Sequence, residues 1–394
     1  MRNILYIVPS DYESLSSKGV VDLILQRDEV GFFDNVYTLH PFTKNDRIIE
    51  LKKNNIIFEY GWKFNNNLLN KFKITKFFGT IILLFKLAFV FPFKIRNKSI
   101  SVIRATDPYY MGLIAFYYSK VLKIPFVVSV HSDYDKGAEL GGQTFKILNS
   151  REIAKKIENF TYKKADLILP ISYYLKKKII DEYCIDSNKI HIFHHGISFE
   201  KFDNINYLNI KRKFNIEKPY LIGYVSRLSK EKHCLDILYI TKKLLKIRED
   251  FFILVAGNGQ EYIYMDKFIK KNKLEKNIKI LGFQSKDIVF NIRKQSNINI
   301  CFLDGFSLIE ACAAGNPVLA YDTEWHSELV QDSLSGFLIK ENDIEDMVEK
   351  INYILNNEKM LREMGKNARE LAFKNHNIQN TIKQKQNIFK KVIT

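Results

Sequence analysis

At 394 residues, with 46% hydrophobic side chains and 30 phenylalanines, the chain is too long for one ordinary core, and two domains are expected. Its four cysteines, Cys184, Cys234, Cys301 and Cys312, are scattered with no C-x-x-C pair, which argues against a disulfide framework or structural zinc and for a reducing, cytosolic setting. The net charge of +17 is uneven: residues 51–100 hold ten Lys/Arg against the single acid Glu59, so an anionic partner is expected there.

In chain order, NILYIVP reads as a buried strand. Its short apolar run leads into a polar loop and does not fit a signal peptide. FFGTIILLFKLAFVFPF, residues 77–93, falls short of the roughly 20 apolar residues of a membrane span and carries Lys86 near its middle. It reads as a peripheral helix, half packed on its domain and half against an anionic lipid surface. An ordinary apolar helix with solvated lysines accounts for the same residues, and the chain-wide excess of Lys and Asn accounts for part of the charge. SVIRAT (101–106), PFVVSV (125–130), DLILPI (166–171) and KIHIF (189–193) are further strand candidates. The helical stretch PYYMGLIAFYYSKVLK starts at Pro108, which suits a first turn. From residue 219 a second series follows: PYLIGYVS, FFILVAG, NIKILGF, NINICFL, PVLAY and GFLI, with helical patterns between them. Alternation of this kind predicts parallel α/β layers. Two such halves meet around residues 196–214, and the stretch from Asn375 reads as one more basic helix. The expected ligand site is a cleft at the strand carboxyl ends.

Several residues there carry chemistry. Arg227 closes a strand and Lys232 follows where a helix should begin. A cation in a helix's first turn opposes the dipole, so the pair suggests an anion such as a diphosphate, although two solvated surface cations fit the local sequence as well. Gly257-Asn258-Gly259 is a tight βα turn, a weak signal alone, and Gly282-Phe283 ends another strand where a ring can meet a base. Ser307-Leu308-Ile309-Glu310 fits a capping box, with Ser307 at the N-cap. On that stretch alone, cap and ligand serve equally well for Glu310. Asp304-Gly305-Phe306 before it offers backbone N–H groups. His131 lies just past a strand, where a lone histidine is more often structural. Asp133-Tyr134-Asp135 mimics a metal-binding D-x-D but is common by chance. EWHSEL (324–329) either shapes a sugar pocket through Trp325 and His326 or simply packs.

Taken in order, HHGISFEKF, SRLSKEK, VAGNGQE, ILGF, SLIEACAAGNPVLAY and SELVQDSLSGFLI resemble the retaining glycosyltransferases of family four, whose GT-B fold pairs two Rossmann-like domains across a cleft. The resemblance implies an acceptor-binding domain over 1–200, a nucleotide-sugar-binding domain over 201–375, and a terminal helix, 376–394, that packs back on the first. It assigns Arg227 and Lys232 to the donor diphosphate, Glu310 to the ribose hydroxyls, and His131 to the donor sugar near the reacting centre. Gly257, Gly305, Phe306, Ser307 and Leu308 would complete the donor site, with Phe283 beside the base. Lys18, Gly19 and Asp107 fall on the acceptor side. No cofactor or metal is expected, because Arg, Lys and a helix N-terminus meet the phosphate charge. Three positions depart from the family's pattern. The first acid of the Glu, seven residues, Glu motif falls on Phe302, and the nearest acid is Asp304. The usual Asn-Gly is His195-Gly196, and the usual Gly-Gly loop is Lys18-Gly19. The expected partners are a nucleotide-sugar donor, a glycan or lipid-linked acceptor and an anionic membrane surface, at the cytoplasmic face. Two rivals remain: a GT-B sugar-nucleotide epimerase, and a basic nucleic-acid-binding protein, for which no base-reading helix or aromatic sheet face is evident.

Overall fold

Parallel strands buried on both faces need near-continuous apolar runs, and the chain supplies them in two sets. The computed structural model describes residues 1–17, 21–62, 73–140, 150–303 and 305–393, with backbone alone for Asp22, Leu23 and residues 73–76. The chain divides into two units. Met1–Ser132, Phe145–Phe193 and Ile382–Thr394 form the first, and Asp133–Thr144 with His194–Thr381 forms the second.

The first unit holds β1 (Asn3–Ile7), β2 (Asn35–Thr43), β3 (Arg47–Lys52), β4 (Asn55–Gly61), β5 (Ile100–Ala105), β6 (Phe126–Val130) and β7 (Leu167–Pro170). They lie in the order β3-β4-β2-β1-β5-β6-β7, parallel except for the β3–β4 edge pair. The second unit holds β8 (Tyr220–Val225), β9 (Phe251–Ala256), β10 (Ile278–Ile280), β11 (Ile298–Cys301), β12 (Val318–Tyr321) and β13 (Gly336–Ile339), all parallel, in the order β10-β9-β8-β11-β12-β13. Each sheet reverses its winding once, between β1 and β5 and between β8 and β11. In open α/β sheets the crevice outside the carboxyl ends at that reversal receives ligands. The fold is thus two Rossmann-like parallel-sheet domains, as the sequence predicts.

Three expectations need correction. KIHIF is not a strand: it touches β7 through the single bridge Ile168↔Ile190. The His191 and Phe193 amides donate to Ile168 and Pro170 carbonyls at 2.9 and 2.8 Å, while Ile190, Ile192 and Phe193 are buried, so its apolar pattern reflects a buried connection. Pro108 lies outside the helix Tyr110–Leu122, whose N-cap is Tyr109. The predicted elements also omit β2, β3 and β4. Their pattern is masked by buried polar groups: His40 Nδ1 lies 3.0 Å from Glu59 Oε1, and Arg47 and the Tyr12 amide also donate to Glu59. Burial alone would raise the Glu59 carboxyl, but the hydrogen bonds from His40, Arg47 and Tyr12 hold it down at about 2.

The terminal helix, Ile378–Ile393, contributes Phe389 to the core of the first unit. Its fully buried ring meets Phe33 and Phe193 edge-on, with centroids 5.1 and 5.8 Å away. Gln386 Nε2 donates to the Glu29 carbonyl at 2.7 Å. Phe389→Ala should therefore destabilise the first unit by about 3–5 kcal/mol, the usual range for emptying a packed phenylalanine site. Denaturant unfolding checks this, and a loss below about 1 kcal/mol would show that the helix adds little to that core.

Candidate active site

Lys232 and Leu303 bring the two sides of the second sheet's reversal together. The chain leaves β8 through Ser226 and Arg227, makes the short 3₁₀ turn Lys230–Lys232, and enters the helix Asp236–Leu244. Lys232 therefore precedes that helix, and the first-turn argument from the sequence fails: Asp236, not Lys232, sits at the helix start. The ammonium instead crosses to the end of β11, where Nζ donates to the Leu303 carbonyl at 2.6 Å. Arg227 does not converge on it. Its guanidinium pairs with Glu231 and is 63% exposed.

The neighbouring turns are locked to this one. Gly257 has φ +153°, and a Cβ there would fall 1.8 Å from the Ser226 carbonyl oxygen, so only glycine fits. Its amide donates to the Gly282 carbonyl at 2.9 Å, and the Leu228 amide donates to the Asn258 carbonyl at 3.0 Å. The carboxyl ends of β8, β9 and β10 thereby form one hydrogen-bonded rim. Phe283 stands on that rim with its ring 76% exposed.

Glu310 lies in the helix Phe306–Ala313, whose N-cap is Gly305 with no side-chain cap. The expected capping box is therefore absent. Ser307 falls inside the first turn, where its hydroxyl donates to the Val225 carbonyl at 2.5 Å and accepts from Arg293 Nη2 at 2.6 Å. A hydroxyl held by a strand end and a guanidinium is not available as a cap. Leu308 is buried, and its amide donates to the Gly305 carbonyl at 3.1 Å. The Phe306 ring lies 4.5 Å from the His195 ring, so the histidine that replaces the family's asparagine packs on the turn. Glu310 keeps its carboxylate partly exposed, with Oε2 3.5 Å from Arg293 Nε. Phe302, at the position of the missing first acid, is fully buried between Tyr224 and Tyr321, with centroids 5.2 and 4.8 Å away. Asp304 lies outside the described residues, as do Lys18 and Gly19.

In the first unit, burial and then the charges of Arg104 and Lys385 push the His131 imidazole down to about 3, so it is neutral near pH 7. Asp107 accepts the Tyr109 amide at 2.9 Å in the turn before the helix Tyr110–Leu122, while burial raises its carboxyl to about 6. Asp133 accepts the Asp135 and Lys136 amides at 2.9 and 3.2 Å, so the D-x-D stretch works as a helix cap. Trp325 and His326 pack rather than line a pocket: both are buried, and His326 Nδ1 lies 2.9 Å from the Tyr321 carbonyl oxygen.

Glu324, just past β12, was not among the expected site residues. It has φ +48°, unusual for a non-glycine residue, and the sequence marks it only as an acid three residues past a strand. Burial, reinforced by the Asp133 charge and opposed by Lys232, raises its carboxyl to about 7. The native state thus holds a proton between about pH 4.5 and 7 that the unfolded chain releases. The stability this confers is full below 4.5 and is lost as pH rises through 7. Glu324→Gln removes this dependence. The stability of the variant relative to the parent should therefore rise by up to about 3 kcal/mol from pH 5 to 8, in denaturant unfolding at each pH. A flat difference would mean that the carboxyl titrates normally.

Comparison with known proteins gives concordant matches. The profile described as glycosyltransferase family 4 matches residues 63–201, and that of the glycosyl transferases group 1 matches residues 207–371. An uncharacterized glycosyltransferase of Methanocaldococcus jannaschii is 28% identical over 246 residues, covering 61% of this chain and 62% of that protein, somewhat under two thirds of its length. The alpha-monoglucosyldiacylglycerol synthase of Acholeplasma laidlawii is 22% identical over 353 residues, 84% of this chain and 83% of that one. Anabaena HepE, solved in complex with UDP and glucose, shares the fold with a TM-score of 0.72 at 16% identity, over 99% of both chains. With two Rossmann-like sheets and profiles matched in order along both halves, the chain belongs to the group 1 glycosyltransferases, the family-four class with the GT-B fold.

Proposed function

We propose that the protein is a retaining, metal-independent glycosyltransferase that moves a sugar from a nucleoside-diphosphate donor to a glycan or lipid-linked glycan acceptor. The observation that supports this reading is that Lys232 Nζ donates to the Leu303 carbonyl just past β11 while Ser307 donates to the Val225 carbonyl at the end of β8, with Glu310 three residues further along the same helix. The ammonium and turn amides suit a diphosphate, and the partly exposed carboxylate suits vicinal ribose hydroxyls. HepE binds UDP and glucose, which favours a uridine donor. In the reaction the bond from the anomeric carbon to the diphosphate oxygen breaks as the acceptor hydroxyl oxygen bonds that carbon on the same face. The hydroxyl proton passes to the departing phosphate. Lys232 stabilises the negative charge that develops on the leaving group, and Arg227 joins it by exchanging Glu231 for phosphate.

The acceptor reading rests on the helical stretch Phe77–Arg96, 20 residues long with mean hydropathy 1.9 and a third of it buried. Leu87, Phe91 and Ile95 pack inward, and the Tyr117 and Tyr118 hydroxyls donate to the Ala88 and Leu87 carbonyls at 2.7 and 2.8 Å. Lys86 Nζ is held by Asp46 at 2.5 Å. One face is thus fastened to the first unit, while Phe85, Phe89 and Phe93 are 57%, 62% and 79% exposed. A fastened helix with an apolar outer face and flanking lysines suits the interface of an anionic bilayer rather than a span. The lipid product named in the Acholeplasma relative is consistent with an acceptor delivered at such a surface.

Glu310→Ala should weaken UDP binding by about 1.5–3 kcal/mol in calorimetry, the scale of a charged hydrogen bond, with the fold intact. Unchanged affinity would leave Glu310 outside the donor site. Donor turnover should persist in EDTA, and loss of activity restored by a divalent cation would contradict metal independence. The chain should also bind phosphatidylglycerol-containing vesicles at low salt. Phe89→Ser with Phe93→Ser should weaken that binding at least tenfold, since burying each ring contributes about 1.5–3 kcal/mol. Equal binding by the variant would exclude this face.

A further inference from the structure

Arg293 sits in the helix Lys286–Gln295 and is the largest fully buried side chain among the described residues. Burying a guanidinium costs several kcal/mol unless charge and hydrogen bonds compensate it. Here compensation is partial and pointed. Nη2 donates to Ser307 Oγ at 2.6 Å, and Nε faces Glu310 Oε2 at 3.5 Å. Neither Nε nor Nη1 completes a hydrogen bond among the described residues. The residue's own backbone is fixed from outside, because Asn316 and Asn299 side-chain amides donate to its carbonyl at 2.8 and 3.1 Å. Ser307 in turn holds the Val225 carbonyl at the end of β8. One buried cation therefore faces Ser307 and Glu310, the polar side chains of residues 305–310 at the start of the helix Phe306–Ala313.

An apolar side chain would fill this space at less cost, so core packing does not explain the choice. We infer that Arg293 is a positioning residue of the donor site, fixing the direction of the Glu310 carboxylate and the seat of the Ser307 turn from behind. This rests on the donor-site reading given above. It also accounts for how a site with Phe302 at the position of the first acid orients Glu310: a buried cation constrains the carboxylate.

The test is a double-mutant cycle on UDP affinity, measured by calorimetry on the full chain, with thermal unfolding and circular dichroism as fold checks. Arg293→Met should weaken UDP binding about tenfold, and Arg293→Lys, which keeps the charge but not the fork, about two- to fivefold. In a Glu310→Gln background, Arg293→Met should add less than a threefold loss, because its effect passes through the carboxylate. The same tenfold loss in both backgrounds would overturn the inference. So would unchanged affinity in Arg293→Met while Glu310→Gln is weakened. Where Arg293→Met does not fold, Arg293→Lys decides, and parental affinity in that variant overturns the inference. Unchanged affinity in Glu310→Gln would instead overturn the donor-site reading itself, and the role of Arg293 with it.

Discussion

The donor hydrogen bond from Lys232 to the Leu303 carbonyl joins the two strands at which the second sheet reverses its winding. Those strand ends diverge because their crossover helices leave on opposite faces, and the space between them is where a ligand fits. The lysine places a positive charge in that space without borrowing a helix dipole. The Ser307 hydroxyl makes a second tie across the same gap, to the last residue of β8. The rim of Gly257, Gly282 and Phe283 then hangs on the β8 end through backbone hydrogen bonds that tolerate no side chain at Gly257.

Charge is distributed in the second unit with a consistent logic. Arg227, with a largely exposed side chain, pairs with the half-buried Glu231, and Lys232 donates to the Leu303 carbonyl. The cation behind the gap, Arg293, is sealed from water and aimed at the side chains that line it. Burial raises the carboxyl of Glu324, which feels the Lys232 charge, to about 7, so the negative charge it sets against the lysine grows as pH rises through 7.

Much of this was legible in the sequence because the strand-end residues are tied to motif spacing. Gly257 directly follows β9, Lys232 reaches from the turn after β8 to the residue Leu303 beyond β11, and Glu310 sits in the helix after β11. What the sequence hid has physical causes. Ser307 and Glu310 satisfy the spacing of a capping box, but a tertiary partner, Arg293, took the hydroxyl. Arg293 itself looks like any solvated helix cation, since nothing local marks a guanidinium that will be sealed in a core. β2 and β4 were obscured because His40 and Glu59 are polar yet buried as a pair, which breaks the apolar pattern without breaking the strands. Phe302 shows the converse. Spacing placed it where the family carries an acid, and its ring is buried, tilted against two tyrosines.

The central claim is that the gap between the ends of β8 and β11 holds the donor's diphosphate. A crystal structure of the full chain with UDP tests it most directly. The account predicts diphosphate oxygens within hydrogen-bonding distance of Lys232 Nζ and the amides of the Gly305–Ser307 turn, with the Glu310 carboxylate on the ribose hydroxyls. UDP bound elsewhere on the second sheet, or bound in the gap with its ribose away from Glu310, would contradict it.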